Sequence, residues 1–240
     1  MAQLFTPSPV AATYSLRVLA HLLRYPDDGL RQHLPALQQA LQAERALGNR
    51  RLAELGTLIQ RLHQQPAMRT EAEYVELFDR GRRTALHLFE HVHGDSRDRG
   101  PAMVDLAQTY EAAGLYLAEG ELPDYLPVAL EYASTQPPAQ ARAFLSEIAH
   151  ILRVVFSALL ERQSGYASVL AALLDLAGEK AEAVKLPAEV TLDESWAEPA
   201  AFDGCSTAGQ ARPGQPQPIR IVRQAHMGQP AGHPAPGASA

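Results

Sequence analysis

The apolar residues of this chain recur with the period of an amphipathic helix rather than with that of a strand. Leu52, Leu55, Ile59 and Leu62 are three or four residues apart, which places their side chains on one helical face. The same repeat predicts helices in five further segments: 16–23, 30–41, 103–117, 144–160 and 169–177. No run of four to eight residues alternates between apolar and polar as a half-buried strand does. These patterns predict an all-α fold, a single helical-bundle domain of roughly eight or nine helices.

Prolines and glycines suggest where these helices begin and end. Pro35 falls inside the second predicted helix, where its missing N–H is expected to kink or split it. The apolar face over residues 144–160 predicts one helix of about five turns that follows Pro137 and ends near Gly165. Gly178 is placed to close the last helix in a left-handed conformation.

The composition changes along the chain and predicts three regions. Residues 1–178 carry the helical repeats, and residues 179–203 are acidic and expected to be partly extended. Residues 204–240 contain six glycines and six prolines among 37 residues, a composition that cannot bury enough apolar surface to offset its ordering entropy. We expect this last region to be a disordered tail.

Charge and cysteine content exclude several classes of function. The formal net charge is −6, and it is −9 over the first 203 residues because the tail holds three arginines and no acidic residue. An acidic body argues against binding to nucleic acid or to an anionic membrane. The single cysteine, Cys205, excludes a disulfide framework and a cysteine-ligated cluster within one chain. Without a membrane-length apolar run or a secretory signal, a cytoplasmic protein is the expectation.

One short motif has the spacing of a metal site. His87, Glu90 and His91 match the H-x-x-E-H pattern of inverted zinc peptidases, and on one helix the three would share a face. Such an enzyme needs a third protein ligand, and no second element of the sequence supplies one. We therefore favour histidines that are solvated or hydrogen-bonded on a helix whose Leu86, Phe89 and Val92 face the core, and predict neither catalytic residues nor a metal site.

Two polar connectors contain helix-capping residues. Gly94 is suited to the left-handed position after a helix, and Asp95 or Ser96 is suited to cap the helix that follows. Asp124 is a candidate N-cap for the next helix, with Pro127 in its first turn.

The same segments resemble a known family. Glu73 to Asp79, with the sequence E-Y-V-E-L-F-D, looks like the E-Y-x-x-L-F signature of the redox-enzyme chaperones of the TorD, DmsD and NarJ group. Glu121 to Asp124 looks like the second signature of that group, E-x-P-D-H, except that Tyr125 stands where a histidine is common. The run from Arg82 to Gly100 is similar to the nitrate-reductase branch in particular, and the resemblance is strongest between Glu73 and Tyr132.

This resemblance implies a chaperone rather than an enzyme. Proteins of this kind bind the N-terminal peptide of the apo α subunit of respiratory nitrate reductase and keep it from its membrane partner until the molybdenum cofactor is inserted. The client receives the cofactor, so no stably bound cofactor is expected on the chaperone. Cofactor biosynthesis proteins are candidate further partners. The alternatives are a chaperone of another molybdoenzyme, a general helical adaptor, and a zinc hydrolase that uses His87 and His91.

The client-binding surface is expected around residues 97–127, where the resemblance is densest. An apolar groove with acidic edges would suit a basic amphipathic peptide. Ten residues are candidates for contacting the client or supporting the groove: Tyr74, Leu77, Phe78, Asp95, Arg97, Arg99, Glu121, Pro123, Asp124 and Leu126.

Overall fold

The computed structural model describes residues 10–94 and 96–186. Within these residues the chain forms ten α-helices, a π-helical turn (Val75–Asp79) and a 3₁₀ turn (Arg82–Thr84), with no strand. The α-helices are α1 (Thr13–Leu22), α2 (Asp28–Glu44), α3 (Asn49–Gln64), α4 (Ala67–Tyr74), α5 (Leu88–Val92), α6 (Arg99–Ala112), α7 (Leu126–Thr135), α8 (Pro138–Glu147), α9 (Ala149–Glu161) and α10 (Ala167–Ala177). The all-α prediction is confirmed. The predicted tail and most of the predicted acidic segment lie outside the described residues.

Two groups of helices share one apolar core. α1 packs against α7 and α2, and α10 packs against α9, α8 and α3. Leu19, Leu55, Leu130 and Leu170 are fully buried in this core. Burial of such a side chain contributes about 1.5–3 kcal/mol, so the apolar repeats in the sequence specify which helical faces meet.

Most of the predicted helices form where the apolar repeats place them. α1, α2, α3 and α10 match their predicted segments, and Gly178 after α10 has the expected left-handed backbone with φ of 83°. Pro35 does not split α2, which runs from Asp28 to Glu44 as one helix. Leu34 and Leu41 are buried on its inner face, and this packing offsets the lost backbone hydrogen bond.

The prediction of one five-turn helix over residues 144–160 is wrong. The chain bends by 63° between α8 and α9, and Ile148 at the junction has φ of −89° and ψ of 1°. Leu145 of α8 and Leu152 of α9 are both buried, so the apolar pattern continues through a change of direction that it does not encode. In the described part of the chain, no individual helix has the length and apolar character needed to cross a membrane. α8 and α9 meet those requirements only when taken together across their bend.

The prediction that a helix continues to Leu117 is also wrong. α6 ends at Ala112, and Gly114 follows with φ of 78°, a backbone conformation that favours glycine. Tyr110 is the one buried side chain of α6, whereas Val104 is 56% exposed. The apolar repeat therefore predicted the helix but overstated how much of it is buried.

Candidate functional site

A backbone bridge joins the segment before α5 to the segment before α7. The N–H of Leu126 donates to the carbonyl of Leu86 at 2.8 Å, and the N–H of Leu88 donates to the carbonyl of Asp124 at 2.9 Å. These two bonds form an isolated antiparallel bridge between His87 and Tyr125. The bridge holds the end of the second signature, at Asp124, against residues 86–88, which follow the first signature in the sequence.

Asp124 is fully buried at this bridge. Its carboxylate accepts a hydrogen bond from the backbone N–H of Phe89 at 3.2 Å and lies 3.2 Å from the Nδ1 atom of His87. Arg99 approaches the same carboxylate at 3.7 Å. Because Phe89 is the second residue of α5, Asp124 caps α5 from a distant part of the sequence.

The prediction that Asp124 caps α7 is wrong. Tyr125 occupies the N-cap position of α7, and that position has no side-chain cap. The bridge turns the Asp124 side chain toward α5, a long-range effect that local spacing does not reveal. The left-handed conformation predicted for Gly94 is confirmed, with φ of 50°.

The zinc-peptidase spacing does not produce a shared helical face. His87 precedes α5 with extended backbone and hydrogen-bonds Asp124, whereas the Nε2 atom of His91 lies 2.9 Å from the carbonyl of Ala85. The hydrogen bond with Asp124 raises the pKa of His87, although burial acts in the opposite direction. In residues 10–94 and 96–186, no three histidine, cysteine or carboxylate side chains are grouped so as to hold a metal ion.

The two signatures meet at the end of α1. The Tyr74 hydroxyl donates to the carbonyl of Leu23 at 2.8 Å and lies 3.3 Å from the Tyr125 hydroxyl. Burial raises the pKa of both tyrosines, which keeps them neutral. Leu23 is the C-cap of α1, so these hydroxyls satisfy a carbonyl that the helix leaves unpaired. Phe78 packs behind them, with its ring centroid 4.8 Å from that of Tyr74.

A groove beside this junction runs between α1, the 113–122 segment and α7, and we call it the α1–α7 groove. Its volume is about 260 Å³. Tyr110 forms part of its lining and is fixed by donating its hydroxyl to the carbonyl of Pro123 at 2.9 Å. Tyr116 also lines the groove and is 80% exposed. Leu117 adds apolar surface, so the groove offers aromatic and aliphatic contacts to solvent.

Two carboxylates line the same groove. Glu121 and Glu131 both bind the guanidinium of Arg24, at 3.5 and 2.8 Å respectively. Arg24 comes from the turn after α1 and is about one-third exposed. The arrangement shows that these carboxylates are spaced to hold a cationic group in a groove whose lining also includes Arg17 and His21.

The candidate site residues differ in their access to solvent. Buried members support the site from within: Tyr74, Phe78, Pro123, Asp124 and Leu126. Three members are partly exposed, Leu77, Arg99 and Glu121, and of these Glu121 alone lines the α1–α7 groove. Arg97 is exposed, and Asp95 lies outside the described residues.

Four residues of the groove or its ion pairs were not predicted from the sequence: Arg24, Tyr110, Tyr116 and Glu131. Tyr116 was detectable as an aromatic residue in a segment that Gly114 separates from α6. Arg24, Tyr110 and Glu131 could not be assigned to the groove from the sequence, because the apolar pattern does not show which helices are neighbours.

Comparison with known proteins places the chain in a family. The family model described as "Nitrate reductase delta subunit" matches residues 23–172. The chain belongs to the nitrate reductase delta subunit family. The resemblance to the nitrate-reductase branch of the redox-enzyme chaperones is thereby confirmed.

Relatives in this family include named assembly chaperones. The nitrate reductase molybdenum cofactor assembly chaperone NarJ of Escherichia coli K12 is 43% identical over 180 residues, which cover 75% of this chain and 76% of the relative. The probable chaperone NarW of the same strain is 40% identical over 179 residues, or 75% and 74% of the two chains. The probable NarJ of Bacillus subtilis is 34% identical over 159 residues, or 65% and 84%.

A solved structure supports the fold. The crystal structure of a putative redox enzyme maturation protein from Archaeoglobus fulgidus aligns with a TM-score of 0.50 at 20% identity. The alignment covers 75% of this chain and all of that one. The NarJ and NarW relatives are named as assembly chaperones, and this agrees with the prediction that the protein is not an enzyme.

Proposed function

We propose that the protein is a system-specific assembly chaperone of a respiratory nitrate reductase. It binds the N-terminal segment of the apo α subunit in the cytoplasm, holds that subunit for molybdenum cofactor insertion, and leaves before the subunit docks at the membrane. The chaperone itself keeps no cofactor, and cofactor biosynthesis proteins are its further partners. The observation that carries the proposal is the 43% identity over 180 residues to a chaperone named for this assembly step.

The α1–α7 groove is the surface that we propose for the client segment. Tyrosine is among the residues that most often dominate the binding energy of interfaces, and Tyr116 is 80% exposed at this groove. Leu117 and Val128 extend the apolar lining on either side. An amphipathic helix could lay its apolar face along such a surface.

The carboxylates of Glu121 and Glu131 would receive the basic residues of the client. Arg24 already pairs with both, so a client cation would compete with an internal arginine for the same two groups. Because exposed ion pairs are worth only about 0–1 kcal/mol, the exchange costs little in either direction. This balance suits a chaperone that must release its client, with charge acting mainly on the association rate.

Asp124 would act from within as a support. It is buried and stabilises the backbone bridge between the segments that precede α5 and α7. The neighbouring Pro123 is thereby held in place, and its carbonyl accepts the hydrogen bond that fixes Tyr110 at the groove. Arg99 would complete this support from the start of α6, 3.7 Å from the same carboxylate.

Binding of a labelled synthetic peptide with the sequence of the α-subunit N-terminus tests the proposal. The double variant Glu121→Gln with Glu131→Gln should bind about tenfold more weakly at low salt and lose part of its salt dependence. Glu119→Gln is the matched control, since Glu119 is an exposed carboxylate of the same segment that does not line the groove. Equal losses in the two cases would reject the proposed charge contacts.

The aromatic contact has its own matched pair. Tyr116→Ala should weaken binding of the peptide by about tenfold or more, as truncation of an interface aromatic does. Val104→Ala removes an exposed apolar side chain of α6 outside the groove and should leave the affinity unchanged. Stronger binding of a peptide from another molybdoenzyme would replace nitrate reductase by that enzyme as the client.

A further inference from the structure

The wall of the α1–α7 groove that α1 supplies is basic. Arg17 and His21 are exposed, line the groove and are four residues apart, so they lie on one face of the helix. Arg24 continues this row three residues further on, in the turn that follows α1. The other two walls, the 113–122 segment and α7, carry Glu121 and Glu131. The groove therefore contains charges of both signs, and the basic ones follow α1.

The two arginines of this row differ in their partners. Arg24 is held by Glu131 at 2.8 Å and by Glu121 at 3.5 Å. Arg17 pairs with no carboxylate in residues 10–94 and 96–186, and its Nε atom donates a hydrogen bond to the hydroxyl of Ser134 at 3.2 Å. A guanidinium has five N–H donors, so the terminal nitrogens of Arg17 are left for an acceptor that comes from outside the domain.

Ser134 fixes the direction of the Arg17 side chain. It is 3% exposed, and its hydroxyl donates to the carbonyl of Glu131 at 2.7 Å while its oxygen accepts the bond from Arg17. A guanidinium that is held at Nε presents its two terminal amino groups together. This is a geometry that binds both oxygens of one carboxylate.

The charges of the groove balance before a client binds. Two carboxylates, Glu121 and Glu131, are matched by two guanidinium groups, Arg17 and Arg24. A client that brings only a basic residue would displace Arg24 and leave both arginines without a carboxylate. Because an unpaired charge loses hydration when a partner covers it, such a complex is disfavoured. A client that also brings a carboxylate to Arg17 restores the balance.

The spacing along α1 sets the spacing required of the client. Arg17 and Arg24 are seven residues apart, which is about 10 Å at a rise of 1.5 Å per residue. A client helix matches this distance with two charged residues that are also two turns apart. We propose that the groove recognises a client helix with one acidic and one basic residue in this spacing. The carboxylate binds Arg17, and the basic residue replaces Arg24 between Glu121 and Glu131.

Arg17 is then a specificity-determining residue of the proposed client site, and its role depends on that site. The test uses the labelled α-subunit peptide with each Asp or Glu replaced in turn by its amide. One replacement should weaken binding to the unmodified protein about fivefold at low salt and have no effect on binding to Arg17→Gln. Equal effects in the two proteins for every replacement, or a client peptide without an acidic residue, would overturn the proposal.

Two further variants separate a direct contact from a general effect of charge. Arg50→Gln alters an exposed arginine of α3 outside the groove, and it should retain the full effect of every replacement. Arg17→Glu should bind the unmodified peptide weakly and recover affinity when the coupled acidic residue is replaced by Lys. Arg17 is exposed, so its variants should keep the fold, and urea unfolding checks this. Failure of the Lys peptide to restore binding to folded Arg17→Glu would contradict a direct contact.

Model helices test the spacing without the client. Each is an 18-residue peptide of constant composition with one Glu and one Arg, placed four, seven or eleven residues apart in either order. The seven-residue spacing should bind about threefold more tightly than the other two, and this preference should disappear in Arg17→Gln. The same affinity for all three spacings would reject the two-turn separation.

The two sets of peptides distinguish failure of this contact from failure of the proposed function. A protein that binds the α-subunit peptide without coupling to Arg17 would remain a candidate chaperone and lose the acidic contact. A protein that binds the seven-residue model helix but not the α-subunit peptide would keep the contact and lose nitrate reductase as the client. Binding of neither would remove both.

Discussion

The Asp124 carboxylate accepts a hydrogen bond from the backbone N–H of Phe89 at 3.2 Å, although the two residues are 35 positions apart. Through this bond Asp124, a residue of the second signature, caps α5, the helix that follows the first signature. The nearby backbone bridge and the pair of tyrosine hydroxyls at Leu23 extend the same connection to the end of α1. The two signatures are therefore parts of one structural junction.

Removal of the buried carboxylate should destabilise the fold strongly. Asp124→Ala leaves the Phe89 N–H and His87 without their partner, so the free energy of unfolding should fall by about 3 kcal/mol. Asp124→Asn retains an acceptor and should lose only about 1–2 kcal/mol. Urea unfolding measures both, and a loss below about 1 kcal/mol in the alanine variant would mean that the junction does not depend on this carboxylate.

The His87–Asp124 hydrogen bond predicts a pH dependence of stability. It raises the pKa of His87 above the 6.5 of a free histidine, with burial opposing. Protonated His87 thus stabilises the fold fully below pH of about 6.5, and this contribution is lost as the pH rises through the folded-state pKa. Because the side chain is one-third exposed, the effect should be modest.

Comparison of two histidine variants isolates this effect. Unfolding free energies measured at intervals from pH 6 to 8, a range of about two units around the histidine pKa, should decline less steeply in His87→Gln than in the unmodified protein. His150→Gln alters an exposed histidine of α9 and should keep the original slope. The same slope in all three proteins would show that His87 does not gain a proton on folding.

Two buried tyrosines should respond in opposite ways to loss of the hydroxyl. Tyr110→Phe leaves the Pro123 carbonyl unpaired and should cost about 1–2 kcal/mol of unfolding free energy. Tyr166→Phe removes a hydroxyl that has no partner among the described residues, so stability should be unchanged or higher. A comparable loss in both variants would show that the Tyr166 hydroxyl is already hydrogen-bonded in solution.

α6 should be the least protected of the longer helices. Tyr110 is its one buried side chain, whereas α10 has eight buried residues. Local opening costs little where few apolar contacts are lost, so the amides of α6 should exchange with solvent much faster than those of α9 and α10. Hydrogen exchange followed by mass spectrometry measures this, and equal protection would indicate that α6 opens only with the whole domain.

The sequence specified individual helices better than their junctions. Apolar repeats predicted α1, α2, α3 and α10 because burial of one helical face leaves a local record in the chain. The bend at Ile148 left no such record, since both α8 and α9 carry apolar faces across it. A local pattern cannot show that two faces point in different directions.

The candidate site was predictable to a similar extent. The signatures identified Tyr74, Glu121 and Asp124, but their roles depend on neighbours from distant segments, such as Leu23 and Phe89. Local capping rules assigned Asp124 to the wrong helix because a backbone bridge directs its side chain to α5. Long-range hydrogen bonds of this kind are visible only in the folded structure.

Co-purification with the client is the most direct test of the proposed chaperone function. The tagged protein should recover the apo α subunit from cells that cannot make the molybdenum cofactor, and recover little of it once the cofactor has been inserted. Tyr116→Ala should reduce this recovery, whereas Val104→Ala should not. Failure to recover the apo subunit, or equal recovery of the apo and mature forms, would contradict the central claim.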